Sequence, residues 1–75
     1  MASAFVLIAA KSGRARDVEN KLMRMHNVKN IENVQGEYDL IAEVDAKNEI
    51  KLDNIMHENI MKLKNIAFVS PLMKR

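Results

Sequence analysis

The sequence predicts a small α+β domain of order β-α-β-β-α-β, in which a four-stranded antiparallel sheet carries two helices on one face. Three observations carry that expectation. The chain opens on an apolar run, SAFVLIAA from Ser3 to Ala10, followed by a stripe at helical spacing. Its second half echoes the first: LMRMHNV (22–28) aligns with IMKLKNI (60–66) at a shift of 38 residues, apolar on apolar at four of seven positions. Between the halves, Gly36-Glu37-Tyr38-Asp39 interrupts two strand-like runs.

Strand 1, Ser3 to Ala10, is apolar at both parities, with Ala4, Val6 and Ile8 on one and Phe5, Leu7 and Ala9 on the other. A strand of that kind is buried on both faces. Lys11-Ser12-Gly13-Arg14 is a turn signal. Helix 1 is expected over 14–26, because Ala15, Val18, Leu22 and Met25 fall on one helical stripe. Arg16, Asp17, Glu19, Asn20, Lys21 and Arg24 occupy the opposite side.

Strand 2, VKNIENVQ from Val28 to Gln35, is polar enough to be an edge. Strand 3, Asp39 to Ala46, alternates Leu40, Ala42 and Val44 with Asp39, Glu43 and Asp45, Ile41 being the exception. Helix 2 is expected over 48–64 on the stripe Leu52, Ile55, Met56, Ile60 and Leu63. Asn59 falls inside that stripe by angle, an anomaly in an otherwise apolar face. Strand 4, IAFVSPLM from Ile66 to Met73, contains Pro71, which cannot donate to a ladder and so belongs on an edge.

A repeated helix-to-strand unit in this order is the ferredoxin-like split βαβ arrangement. Right-handed crossovers place both helices on the same sheet face. Strands 1 and 3 are then central, and strands 2 and 4 are edges. The two helices leave one face uncovered. Strand 1 is apolar there as well, and strand 4 nearly so, with Ile66, Phe68 and Leu72 opposite Ala67, Val69 and Met73. An exposed apolar patch of several hundred Å² is more than a soluble monomer usually tolerates. The expected partner for that face is a second copy, with a two-fold dimer the commonest case.

Size points the same way. The 75 residues make a single domain, 1–75, that is marginal on its own core. There is no cysteine to form a disulfide, and only His26 and His57 are available to a metal, without a shared motif. No metal and no cofactor are expected. Ala4 to Ala10 is too short to cross a membrane or to serve as a secretory core, so a cytoplasmic location is the default. The formal charge of +2 and the 4% aromatic content specify no nucleic acid.

The candidate chemistry is sparse. Glu37 and Asp39 flank Tyr38 in a tight connection, but general acid–base work needs groups held in a pocket with separated pKa values. A hairpin on the rim of a small domain is more often a plain reversal. KSGRAR, 11–16, sits where a phosphate loop occurs in acylphosphatases of the same topology, but it has one glycine and lacks their longer glycine-flanked pattern. An RNA-recognition surface needs stacking aromatics on strands 1 and 3. Strand 3 has none. His57 is expected to be solvated or interfacial, and Met23, Met25, Met56, Met61 and Met73 to fill core and subunit contacts. No catalytic residue is assigned.

AFVLIAAKSGRARDVENKL, VKNIENVQGEYDLIAEVDA and LDNIMHENIMKLKNIAFV resemble the C-terminal effector domain of the Lrp/AsnC transcription regulators, the RAM module. The resemblance runs from Ala4 to about Met73. Its most specific part is VQGEYDL, Val34 to Leu40, which is similar to the family's V-x-G-x-[YF]-D core. The family's full regulators carry an N-terminal helix-turn-helix. With strand 1 starting near Ser3, the sequence resembles the stand-alone form, without a separate DNA-binding domain and without direct specific DNA binding.

What the resemblance implies is a ferredoxin-like domain that dimerises through its sheet and assembles into a ring-like oligomer. A small effector, usually an amino acid, binds between subunits near the glycine hairpin. Gly36 would let loop N–H groups approach a carboxylate, Asp39 would pair with an ammonium, and Tyr38 would wall the pocket. The family's T-x-T-like stretch on the last strand corresponds to Val69-Ser70-Pro71, which leaves the Ser70 hydroxyl. The ligand-binding set is thus Gly36, Tyr38, Asp39 and Ser70, and Asp39→Ala is expected to remove the ligand response with the fold intact. Full-length Lrp/AsnC regulators are expected partners through mixed assembly. Two alternatives belong to other classes. One is a small dimeric α+β-barrel enzyme, for which Asn59 is the one polar inward candidate. The other is a ligand-free structural adaptor.

Overall fold

In the computed structural model, which describes residues 1–73, the elements follow the expected order. They are β1 (Ala2–Ala10), α1 (Ala15–Met23), β2 (Val28–Asn33), β3 (Leu40–Ala46), α2 (Glu49–Asn54) with a π-helical continuation Ile55–Ile60, and β4 (Ile66–Met73). The four strands form one antiparallel sheet in the order β2-β3-β1-β4, a ferredoxin-like α+β fold. The apolar β1 and β3 are central. The polar β2 and the proline-bearing β4 are edges.

The core lies between the sheet and the helices. Ala4, Val6 and Ile8 of β1 and Leu40, Ala42 and Val44 of β3 are wholly buried there against Val18, Leu22, Leu52 and Ile60. No polar side chain is buried among the described residues. The aliphatic core is therefore the main source of stability.

Both helices are shorter than the periodicity suggests. α1 stops at Met23, because the next turn tightens: the Met25 N–H donates to the Leu22 carbonyl at 3.0 Å, and the Val28 N–H to the Met25 carbonyl at 3.1 Å. The second helix starts on a side-chain cap, with Asn48 Oδ1 accepting from the Lys51 N–H at 2.8 Å. It then widens. The Met61 N–H donates to the Met56 carbonyl at 2.8 Å, an i→i−5 bond. Leu52, Met56 and Ile60 are spaced by four and all buried, a repeat that an α-helix would rotate off the core over two turns. The wider turn keeps them aligned and turns Asn59 out to solvent. Asn59 is thus not an inward polar residue, and the enzyme alternative loses its one internal candidate.

The echo between the halves is physical. Leu22, Met25 and Val28 occupy equivalent places to Ile60, Leu63 and Ile66, each pair packed in or against the core. The matched asparagines repeat a role. The Asn27 carbonyl accepts from the Asp45 N–H, and the Asn65 carbonyl from the Lys11 N–H at 2.8 Å. Asn65 stands at a φ of 72°, in the left-handed region. Its side-chain Nδ2 donates to Asp17 Oδ2 at 2.7 Å and ties this turn to α1. Lys21 Nζ approaches the same oxygen at 3.1 Å. These contacts hold the Asp17 carboxyl below its usual 3.8, the Asn65 hydrogen bond contributing most.

The alternation expected for β4 fails at one point. Ala10 pairs with Ile66 and Ala9 with Phe68, so Ala67 is an extra residue in a bulge. Ile66 therefore joins Val69 against the core. Phe68, Ser70 and Leu72 share the open face with Phe5 and Leu7, their partners on β1 being Ala9, Leu7 and Phe5. The Met73 side chain lies outside the described residues. Of the other methionines, Met56 is in the core and Met25 half-buried, whereas Met23 and Met61 are exposed and fill nothing within the subunit.

Candidate functional site: the glycine hairpin and the open sheet face

The hairpin between β2 and β3 closes where the Val34 N–H donates to the Asp39 carbonyl at 2.9 Å. Gly36 holds a φ of 117°, a conformation that an L side chain rarely adopts. A Cβ added there would meet nothing within 4 Å, so backbone angle, not crowding, demands the glycine. The space beside it is open to an approaching molecule.

Asp39 anchors the hairpin to the sheet. Its N–H donates to the Ile8 carbonyl at 2.9 Å, and its Oδ2 accepts from the Ala10 N–H at 2.8 Å. The carboxylate thus satisfies the last backbone donor of β1, where the ladder to β3 has already ended at Ile8↔Leu40. Alanine at this position would strand a half-buried N–H, so Asp39→Ala is expected to lower stability as well as to remove a ligand contact. Oδ2 is committed to that donor.

Tyr38 packs edge-to-face on Phe68, with ring centroids 5.5 Å apart and planes at 73°. Ser70 follows Phe68 by two residues on the same open face, opposite Leu7. Tyr38, Phe68 and Ser70 therefore share one side of the sheet at the hairpin end, with Asp39 beneath them on the backbone of β1. Glu37 is exposed and joins no cluster. Phe68 is the residue that sequence reasoning did not place in the site. Its signal was available, since it is one of two phenylalanines in the chain and alternation sets it on one face with Leu72, but its contact with Tyr38 across the hairpin was not.

The uncovered face is two-sided in character. Phe5, Phe68 and Leu72 are exposed and Leu7 is half-buried on the β1–β4 side. On the β2–β3 side the register places Asn30, Glu32, Glu43 and Asp45, with Ile41 as the one apolar member. Asp45 Oδ1 accepts from Ser3 Oγ at 2.7 Å.

The other candidate loop is used internally. In 11–16 the Lys11 N–H goes to Asn65 and the Arg14 N–H to the Lys11 carbonyl at 2.9 Å, which removes two donors a phosphate cradle would need. His26 and His57 are exposed. Among the described residues no group of three His, Cys, Asp or Glu side chains is placed to hold a metal ion. No described helix is long and apolar enough to cross a membrane.

Known proteins give this geometry a family. The crystal structure of FFRP-DM1 is 36% identical, each chain covering 100% of the other, with a TM-score of 0.97. The HTH-type transcriptional regulator FL11 of Pyrococcus furiosus is 30% identical over 53 residues, which are 71% of this chain but only 35% of that protein. E. coli AsnC, at 19% identity, shares the fold with a TM-score of 0.91 over 97% of this chain and 50% of its own. The family described as the Lrp/AsnC ligand binding domain matches residues 3–71, and the chain belongs to that family.

Proposed function

We propose that the chain is an effector-sensing and oligomerisation module: it pairs through its open sheet face, closes into a ring-like homo-oligomer, and binds an amino acid between subunits at the glycine hairpin. The observation that carries this reading is the exposed apolar side of the sheet, Phe5, Phe68 and Leu72, meeting Tyr38 at its corner. Covering that surface with a second copy buries it and walls the hairpin at once. In the pocket so formed, loop N–H groups around Gly36 receive the ligand carboxylate and Asp39 Oδ1 its ammonium. Tyr38 packs beside the side chain and the Ser70 hydroxyl offers one further hydrogen bond. Such a site recognises and does not catalyse. Regulators of the same family are the partners that mixed assembly through this face would reach. DNA reading is not assigned to the domain, because its described helices are spent on covering the sheet.

Native mass spectrometry of the purified protein, with and without the twenty amino acids, tests the reading. Closed subunit multiples that gain mass, or change size, with one amino acid support it and name the ligand. A closed oligomer that takes none of them supports the adaptor instead. A monomer removes the basis of the proposal.

A further inference from the structure

A second concavity lies at the opposite end of the sheet from the glycine hairpin. It is an open groove of about 460 Å³ between the turn after α1 and the second helix, lined by His26, Asn27, Ala46, Lys47, Lys51, Asn54 and Ile55. Its lining is one-signed. Neither Lys47 nor Lys51 has a carboxylate partner among the described residues. No carboxylate lines the groove itself; Asp45 lines the adjoining hollow with Lys29, and its Oδ1 accepts from Ser3 Oγ. The floor is apolar, from Ala46 and Ile55. Ile55 is also the first residue of the π-helical segment, so the irregular turn that realigns the core begins at this floor. π-Turns recur at functional sites.

We propose that this groove binds a small organic dianion, either a dicarboxylate or a phosphate monoester. Lys47, in the bend after β3, and Lys51, on α2, put two cationic side chains on the same groove, which His26 also lines. A single anionic group would satisfy one lysine. Two charges on a short carbon body span the pair and lay the body on Ala46 and Ile55. Asn27 Nδ2 already donates to the Asp45 carbonyl at 3.0 Å, which fixes that wall in place. The site is separate from the glycine hairpin, so the two ligands would bind independently or be coupled across the sheet.

The test is isothermal titration calorimetry on the intact oligomer, with succinate and glycerol 3-phosphate as the two probes and butyrate as the monoanionic control. At least one dianion is expected to bind saturably, with butyrate at least about tenfold weaker. Raising the salt from about 50 to about 200 mM should weaken binding several-fold, as screening of exposed charges requires. The double variant Lys47→Gln/Lys51→Gln changes only exposed positions and should lower affinity by at least about tenfold, with circular dichroism unchanged. Absence of saturable heat from either dianion at about 10 mM, far above the millimolar range of weak specific sites, overturns the proposal. So does wild-type affinity in the double variant. Because amino-acid binding at the hairpin is read separately by mass, failure of either site leaves the other standing.

Discussion

Replacing Asp39 distinguishes an anchor from a ligand contact. Its Oδ2 accepts from the Ala10 N–H at 2.8 Å in a part-buried setting, beyond the last β1–β3 pair. Alanine leaves that N–H without a partner, and hydrogen bonds to charged groups contribute about 1.5–3 kcal/mol. For a chain of 75 residues the total stability is about 4–11 kcal/mol. A loss of about 2 kcal/mol is therefore a large fraction, equivalent to about 8–16 °C in Tm. Asp39→Asn keeps a carbonyl oxygen for Ala10 but drops the charge, so it should cost less than half as much. The ligand response separates differently: both variants lack the negative charge for an ammonium, and both should lose it. The assay is urea unfolding followed by circular dichroism at fixed protein concentration, since association adds stability by mass action. If Asp39→Ala unfolds within about 0.5 kcal/mol of wild type, the carboxylate is not holding the end of β1.

Other expectations follow from single contacts. The Asp17 carboxyl is held below 3.8, so the folded state binds its proton later than the unfolded chain does. Its contribution is fully present above that value and is lost as pH falls below it. The Tm gap between wild type and Asp17→Ala should therefore be open at neutral pH and close in acid; a gap independent of pH would sink the assignment. Ile60→Ala removes a wholly buried side chain and should cost about 2–5 kcal/mol, measured by chemical denaturation. Leu72→Asp, on the apolar side of the open face, should dissociate the proposed dimer in sedimentation velocity, whereas Glu32→Gln, on the polar side, should not. Equal behaviour of the two would show that the face does not associate through its β1–β4 side.

Strand order was legible because composition and position agree. A strand apolar at both parities has to be central, a strand with Lys29, Asn30, Glu32 and Asn33 has to be an edge, and Pro71 excludes a central place for β4. Helix geometry was less legible. Spacing of Leu52, Met56 and Ile60 by four fits an α-helix over one turn and drifts over two. Asn59 at an apparently apolar angle was the trace of that drift. A stripe with one polar intruder and a strict four-residue repeat is a signature of a widened turn, and here the i→i−5 bond at Met61 supplies it.

The site was partly legible for a related reason. Gly36 and Asp39 are fixed by local backbone needs, a positive φ and an orphan N–H, and such needs leave a motif. Phe68, which completes the corner, sits on the open face by plain alternation with Ser70 and Leu72, but the bulge beside it at Ala67 leaves almost no mark in composition. Its effect is larger than one side chain. Without it, alternation would put Ile66 on the open face along with Phe68 and Leu72, and the core would lose a residue packed against it. With it, Ile66 turns inward and the open face keeps a narrower apolar band along β1 and β4, beside the polar Asn30, Glu32 and Asp45. A two-fold partner laid squarely over such a face would bury Glu32 and Asp45, and burying a carboxylate without compensating bonds is costly. Offset toward β1 and β4, the two bands overlap and the polar strands stay at the rim. That offset would carry the partner toward Tyr38 and Phe68, so in the proposed dimer the same distribution of polarity would bring the second subunit to the hairpin.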